Sequence, residues 1–127
     1  DKLKSDFRYM IKQRGGMLAK GWLIGVQFAE LMKDNVYLEL ADHANKLAQK
    51  MQSRLEELGI SFFIKTSTNQ IFPVLPNEML EKLSEYIDYQ IWEPYDETHT
   101  IVRFVTSWAT DGKEVEEIIK LFENLIK

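Results

Sequence analysis

Apolar residues recur every three to four positions through the first half of the chain and at every second position over several short runs of the second half. This pattern predicts helices followed by a mixture of strands and helices. Leu3, Phe7, Met10 and Ile11 share one helical face between charged neighbours, and the Gly15-Gly16 pair ends that helix. From Met17 to about Lys33 the sequence is apolar almost all round, with Met17, Leu18, Trp22, Leu23, Ile24, Val26, Phe28, Leu31 and Met32. That is the pattern of a helix buried on several sides, which needs neighbours to cover it. Asp34-Asn35 supplies a break and a cap. Val36 to Leu58 then carries Leu40, Ala44, Leu47, Ala48, Met51, Leu55 and Leu58 in a regular stripe that ends at Gly59.

After Gly59 the period changes to that of strands. Ile60 to Lys65 and Gln70 to Leu75 read as an antiparallel pair joined by the polar turn Thr66-Ser67-Thr68-Asn69. Pro76-Asn77 opens a helix bearing Met79, Leu80, Leu83 and Tyr86. A strand is expected from Ile87 to Trp92, a loop through Pro94, and a last strand from Thr100 to Ser107. Asp111 caps a closing helix in which Val115, Ile118, Ile119, Phe122 and Ile126 recur at helical spacing. The order of three helices followed by β-β-α-β-β-α predicts an α+β fold, with helices packed on one face of a small, mostly antiparallel sheet.

Composition narrows the function classes. The 127 residues are enough for one hydrophobic core without disulfides or metal staples. The formal charge of −4 provides no broad basic face for nucleic acid. With no cysteine there are no disulfides, thiolate nucleophiles or thiolate metal sites, a usage compatible with the cytoplasm. The longest apolar run, Gly21 to Met32, is interrupted by Gln27 and Glu30 and is too short for a bilayer span. The sequence starts at Asp1 rather than Met, so a piece of a longer protein is expected.

Arg103 is the most informative single residue. In "TIVRFVTSW", Ile101, Arg103 and Val105 share one strand face and Val102, Phe104 and Thr106 the other, so a guanidinium projects from the middle of an apolar strand. One reading is a substrate carboxylate gripped by two parallel hydrogen bonds. The other, which the pattern alone favours, is an edge strand or a structural pair with Glu93 or Asp96. At Gly15-Gly16, a helix starting at Met17 would aim its free N–H groups at an anion beside Lys12 and Arg14. The pattern alone favours an inter-helix turn with solvated cations, and the segment lacks the spacing and the Ser/Thr of a nucleotide-binding P-loop. His43 and His99 have no partner at metal-ligand spacing and read as structural, so no metal is expected. Asn69 reads as a turn residue first and a polar contact second. The glutamates at 56, 57, 114, 116 and 117 read as solvated helix faces. Trp22, Trp92 and Trp108 read as core or interface anchors, because no basic stripe accompanies them.

The segments "FRYMIKQRGGMLAKGWLIGVQF", "TSTNQIFP" and "VRFVTSWATDGKEVEEII" resemble, in that order and at similar spacing, the C-terminal part of the low-specificity threonine aldolase and β-eliminating lyase family. The resemblance spans nearly the whole chain. It implies a cytoplasmic pyridoxal-phosphate enzyme of fold type I, a homodimer or homotetramer with active sites at a subunit interface. The family's Schiff-base lysine lies upstream of the glycine-rich turn, so no catalytic residue is expected within these residues and the piece alone should be inactive. Residues 1–34 would then be connecting helices from a large domain, and 35–127 the C-terminal small domain. Arg103 falls on the family's substrate-carboxylate arginine, and Gly15, Gly16 and Met17 fall on its glycine-rich turn, which makes Lys12 and Arg14 candidates for cofactor contacts. At that turn the chain departs from many members, with Arg14 in place of a third glycine and Leu18 in place of an arginine. The implied reaction cleaves a β-hydroxy amino acid to glycine and an aldehyde. β-Elimination, transamination on the same fold, or a non-catalytic α+β oligomerisation domain are the alternatives.

Overall fold

The computed structural model describes residues 4–126; Leu3, assigned above to the first helix, lies outside them. Internal contacts divide the chain into two compact units that meet in sequence between Tyr37 and Leu38.

The first unit opens with α1, Lys4–Gln13. Two reversed backbone bonds close this helix: the Gly15 amide donates to the Lys12 carbonyl (3.1 Å) and the Gly16 amide to the Ile11 carbonyl (2.8 Å). Gly15 adopts φ 71°, which a side chain would resist. Gly16 sits in a tighter place, where a Cβ would stand 3.2 Å from Ile11 Cγ2 and that side chain would have to give by a few tenths of an ångström. The second helix, α2, spans Gly21–Leu31 and begins four residues later than the sequence predicts. Met17, Leu18 and Ala19 have no side chain that can cap a helix, and the chain instead turns so that the Gly21 amide meets the Leu18 carbonyl (3.1 Å). A 3₁₀ turn, Lys33–Asn35, follows. Asp34 and Asn35 both take positive φ, 50° and 65°, a conformation that these two residue types tolerate better than most. Neither α1 nor α2 has a buried residue; Trp22 is 66% exposed and Phe28 57%.

Helix α3, Val36–Glu57, carries the chain into the second unit and ends by the same device as α1. Gly59 at φ 87° donates to Glu56 (2.9 Å) and Ile60 to Leu55 (3.0 Å). The strands are β1 Phe62–Ile64, β2 Gln70–Pro76, β3 Gln90–Pro94 and β4 His99–Val105, in the order β1-β2-β4-β3 with every pairing antiparallel. Helix α4, Asn77–Leu83, joins β2 to β3, and α5, Gly112–Ile126, closes the chain. The expected α+β architecture is present: Ile71 and Leu75 of β2 and Val102 and Phe104 of β4 meet Ala48, Met51 and Leu55 of α3, Leu80 and Leu83 of α4, and Val115, Ile119 and Phe122 of α5.

The start of α5 is doubly fixed. The Asp111 carboxylate accepts from the Lys113 amide (2.9 Å) while Glu114 accepts from the Asp111 amide (3.3 Å), a reciprocal capping box. Strand β3 begins three residues after its predicted start. Tyr86 and Ile87 are still completing the turn of α4, both amides bonding the Leu83 carbonyl (3.0 Å each). Tyr86 therefore lies beyond α4 rather than on its face, and is 66% exposed. None of the three tryptophans enters the core, contrary to one of their two expected roles.

Candidate functional site

The site is built on β4, which is hydrogen-bonded to β2 on one side and β3 on the other. The edge-strand reading of Arg103 is thereby excluded. Alternation along β4 sends Val102 and Phe104 into the helix-covered core and turns Ile101, Arg103 and Val105 to the opposite face. The register that pairs Gln70 with Val105 and Val74 with Ile101 brings Phe72 alongside Arg103 on that face. Val74 and Ile101 are buried there, so the arginine rises beside an apolar floor.

The half-buried Arg103 guanidinium finds neutral partners. Nη1 donates to Gln70 Oε1 at 3.3 Å, Nη2 donates to Gln90 Oε1, and Nε is buried without a hydrogen-bond partner. The guanidinium carbon lies 5.4 Å from the Trp92 ring centroid. Phe72 meets the same indole edge-on, with centroids 5.1 Å apart. None of the ion pairs among the described residues includes Arg103. Asp96, one of its proposed structural partners, is engaged elsewhere: Oδ1 accepts from the Thr98 and His99 amides at 2.7 and 2.8 Å, and from the Thr98 hydroxyl at 2.9 Å. These bonds, with the Thr98 amide foremost, lower the Asp96 pKa to about 2. A cavity of about 430 Å³ that Arg103 borders is lined largely from the helix-covered side, by Met51, Phe104, Thr106, Val115 and Ile118, together with Gln90 and Glu114.

The ends of β2 and β4 that frame the arginine are tied to α3. The Thr66 amide donates to Gln52 Oε1 (3.3 Å), Gln49 Nε2 donates to the Thr68 carbonyl (3.1 Å), and the Thr66 hydroxyl donates to the Gln70 carbonyl. Asn69 fills both of its expected roles: it lies in the turn, and its Nδ2 donates to the Thr106 carbonyl (2.8 Å). The Thr106 hydroxyl in turn reaches the Ala44 carbonyl (2.7 Å). The segment "TSTNQ" thus fixes where Gln70 stands relative to Arg103.

Lys12 and Arg14 belong to the first of the two units. Lys12, in the last turn of α1, and Arg14, just past it, are exposed beside the helix's C-terminal carbonyls. A cation is favoured there by the helix dipole, and no helix N-terminus follows at Met17 to make an anion cradle. His43 Nε2 lies 3.0 Å from the Thr110 carbonyl, and His99 Nδ1 lies 3.1 Å from Asp96. Every described lysine is exposed.

No family profile matches the chain. The fold is nevertheless that of the C-terminal domain of fold type I pyridoxal-phosphate enzymes. The solved threonine aldolase of Leishmania major superposes with a TM-score of 0.89 at 42% identity, covering 98% of this chain and 36% of that one. The low specificity L-threonine aldolase of Pseudomonas aeruginosa is 27% identical over 124 residues, 93% of this chain and 34% of the relative. Its counterpart from another Pseudomonas strain is 29% identical over 123 residues, 92% of this chain and 33% of the relative. The chain is thus a homologue of the C-terminal portion of low specificity threonine aldolases, and spans about a third of the length of the curated relatives it matches.

Proposed function

We propose that these residues are the carboxylate-binding part of a pyridoxal-phosphate-dependent, threonine aldolase-like lyase that cleaves a β-hydroxy amino acid to glycine and an aldehyde. The observation that carries this reading is Arg103, a half-buried cation on an interior strand with only neutral partners. A half-buried charge is stabilised when an anion completes it, and an amino-acid carboxylate matches the two terminal nitrogens. Holding the substrate by its carboxylate fixes the position of Cα and reduces the orientational freedom lost on reaction. Pyridoxal phosphate, when bound, supplies the electron sink for breaking a bond at Cα.

The described lysines are all exposed, which fits a cofactor anchored by other residues. Residues 1–34 would connect a large cofactor-bearing domain to a small domain formed by 35–127. Lys12 and Arg14, exposed cations beside the Gly15-Gly16 turn, are the candidates for cofactor contacts. The uncovered apolar faces of α2 fit a cytoplasmic homodimer or homotetramer, in which such a helix is covered by other parts of the assembly. Among the described residues no helix is long and apolar enough to cross a membrane. Taken alone, the chain is expected to be inactive.

The test is made on the full-length gene product. It should carry the visible absorbance of bound pyridoxal phosphate and release glycine from L-threonine, and Arg103→Ala should raise KM by about tenfold or more, the scale of a charged hydrogen-bonded pair. Absence of that absorbance, release of a keto acid in place of glycine, or an unchanged KM in the variant would overturn the proposal.

A further inference from the structure

The two partners of Arg103 are both glutamines, and both use the side-chain oxygen. The chain contains 20 acidic residues, and carboxylates pair its other cations at several places, including Lys46 with Asp42, Lys65 with Glu56 and Arg54 with Glu57 and Glu123. At Arg103 the same kind of contact is made from two directions by groups with almost the shape of glutamate and none of its charge. Gln90 is directly across the ladder from Arg103, and Gln70 enters from the strand on the other side, paired with Val105 two positions along and on the same face.

We propose that Gln70 and Gln90 are positioning residues that hold the guanidinium in a fixed orientation while leaving its charge uncompensated, so that it remains available to a substrate carboxylate. This inference rests on the reading of Arg103 as a carboxylate site and adds the residues that tune its affinity. The hydrogen count permits it. A guanidinium has five N–H donors, the two amides engage one on each terminal nitrogen, and each terminal nitrogen keeps a second. A neutral amide acceptor fixes an N–H without bringing a counter-charge, which orders the side chain and leaves its charge uncompensated. A glutamate at position 90 would complete the ion pair within the chain and repel an arriving carboxylate. The Trp92 face supports the same arrangement, since it stabilises a cation without bringing a counter-charge.

The clamp is tested in the full-length protein with three variants, Gln90→Glu, Gln90→Met and Arg103→Ala. Each is followed by the KM and kcat for L-threonine, the calorimetric dissociation constant of glycine, and the thermal midpoint. Gln90→Glu is expected to weaken glycine binding and raise KM by about tenfold, with kcat changed less than about threefold and the thermal midpoint equal to or above that of the parent. Gln90→Met keeps the site neutral and should raise KM by no more than about threefold. A loss of affinity alongside unchanged or increased stability is a combination that a purely structural role does not produce. Equal losses in Gln90→Glu and Gln90→Met, or parental affinity in Gln90→Glu, would overturn the clamp while leaving the role of Arg103 intact. Parental affinity in Arg103→Ala would instead overturn the carboxylate site itself.

Discussion

Arg103 lies over the ring of Trp92 at 5.4 Å, and Trp92 is in turn braced edge-on by Phe72, so one aromatic pair fixes the position of the cation across three strands. The arrangement stabilises positive charge without neutralising it. Trp92→Ala removes both the quadrupole and the brace. At a half-exposed site a cation–π contact contributes about 0.5–1 kcal/mol, so KM for an amino-acid substrate of the full-length protein should rise about two- to fivefold. Trp92→Phe should recover most of that loss, and steady-state kinetics on both variants measures it.

Thr106 joins the last residue of the turn at 66–69 to α3 through one buried hydroxyl, bonded to the Ala44 carbonyl at 2.7 Å and lying 3.3 Å from the Asn69 carbonyl. Thr106→Val keeps the shape and removes the donor. The expected cost is about 1–3 kcal/mol, read as a lower thermal midpoint, whereas Thr106→Ser should cost less than the valine variant because the donor is kept.

Gly59 separates backbone strain from crowding. A Cβ there would meet nothing within 4 Å, yet φ is 87°. Gly59→Ala should therefore destabilise by about 1–2 kcal/mol through conformation alone, and Gly59→Asn by less. Denaturant midpoints of the two variants give the comparison.

Asp96 links the β3–β4 turn to pH. Its folded pKa of about 2 lies below its ordinary value of 3.8, so its contribution to stability is fully present above pH 3.8 and is lost as pH falls through 2. An NMR titration of the Asp96 carboxyl should give a midpoint near 2, and Asp96→Ala should speed exchange of the Thr98 and His99 amides at neutral pH.

The parts of this fold legible in the sequence are those governed by local chemistry. Helices α3 and α5 announce themselves through apolar spacing, with Gly59 as a stop and Asp111–Glu114 as a start. The beginning of α2 was hidden because Met17, Leu18 and Ala19 are as apolar as the helix itself and carry no capping signal. Arg103 was visible as a charge in an apolar strand, but its partners were not. Counting back from the Pro94–Thr100 pair along an unbroken hairpin puts Ile91 opposite Arg103. The register shift between Ile91 and Glu93 delivers Gln90 instead. The shifted strand also carries Trp92, which meets Phe72 of β2, a contact between strands that local composition does not encode.

Placing Arg103 on a strand paired along both edges also bears on how this site could evolve. Moving its Cα would break two hydrogen-bond ladders together, so the anchoring point for the ligand resists drift. Under the proposed role, lineages that acquire new substrates would retain this anchor and diversify at the other end of the ligand, where variation need not disturb the sheet.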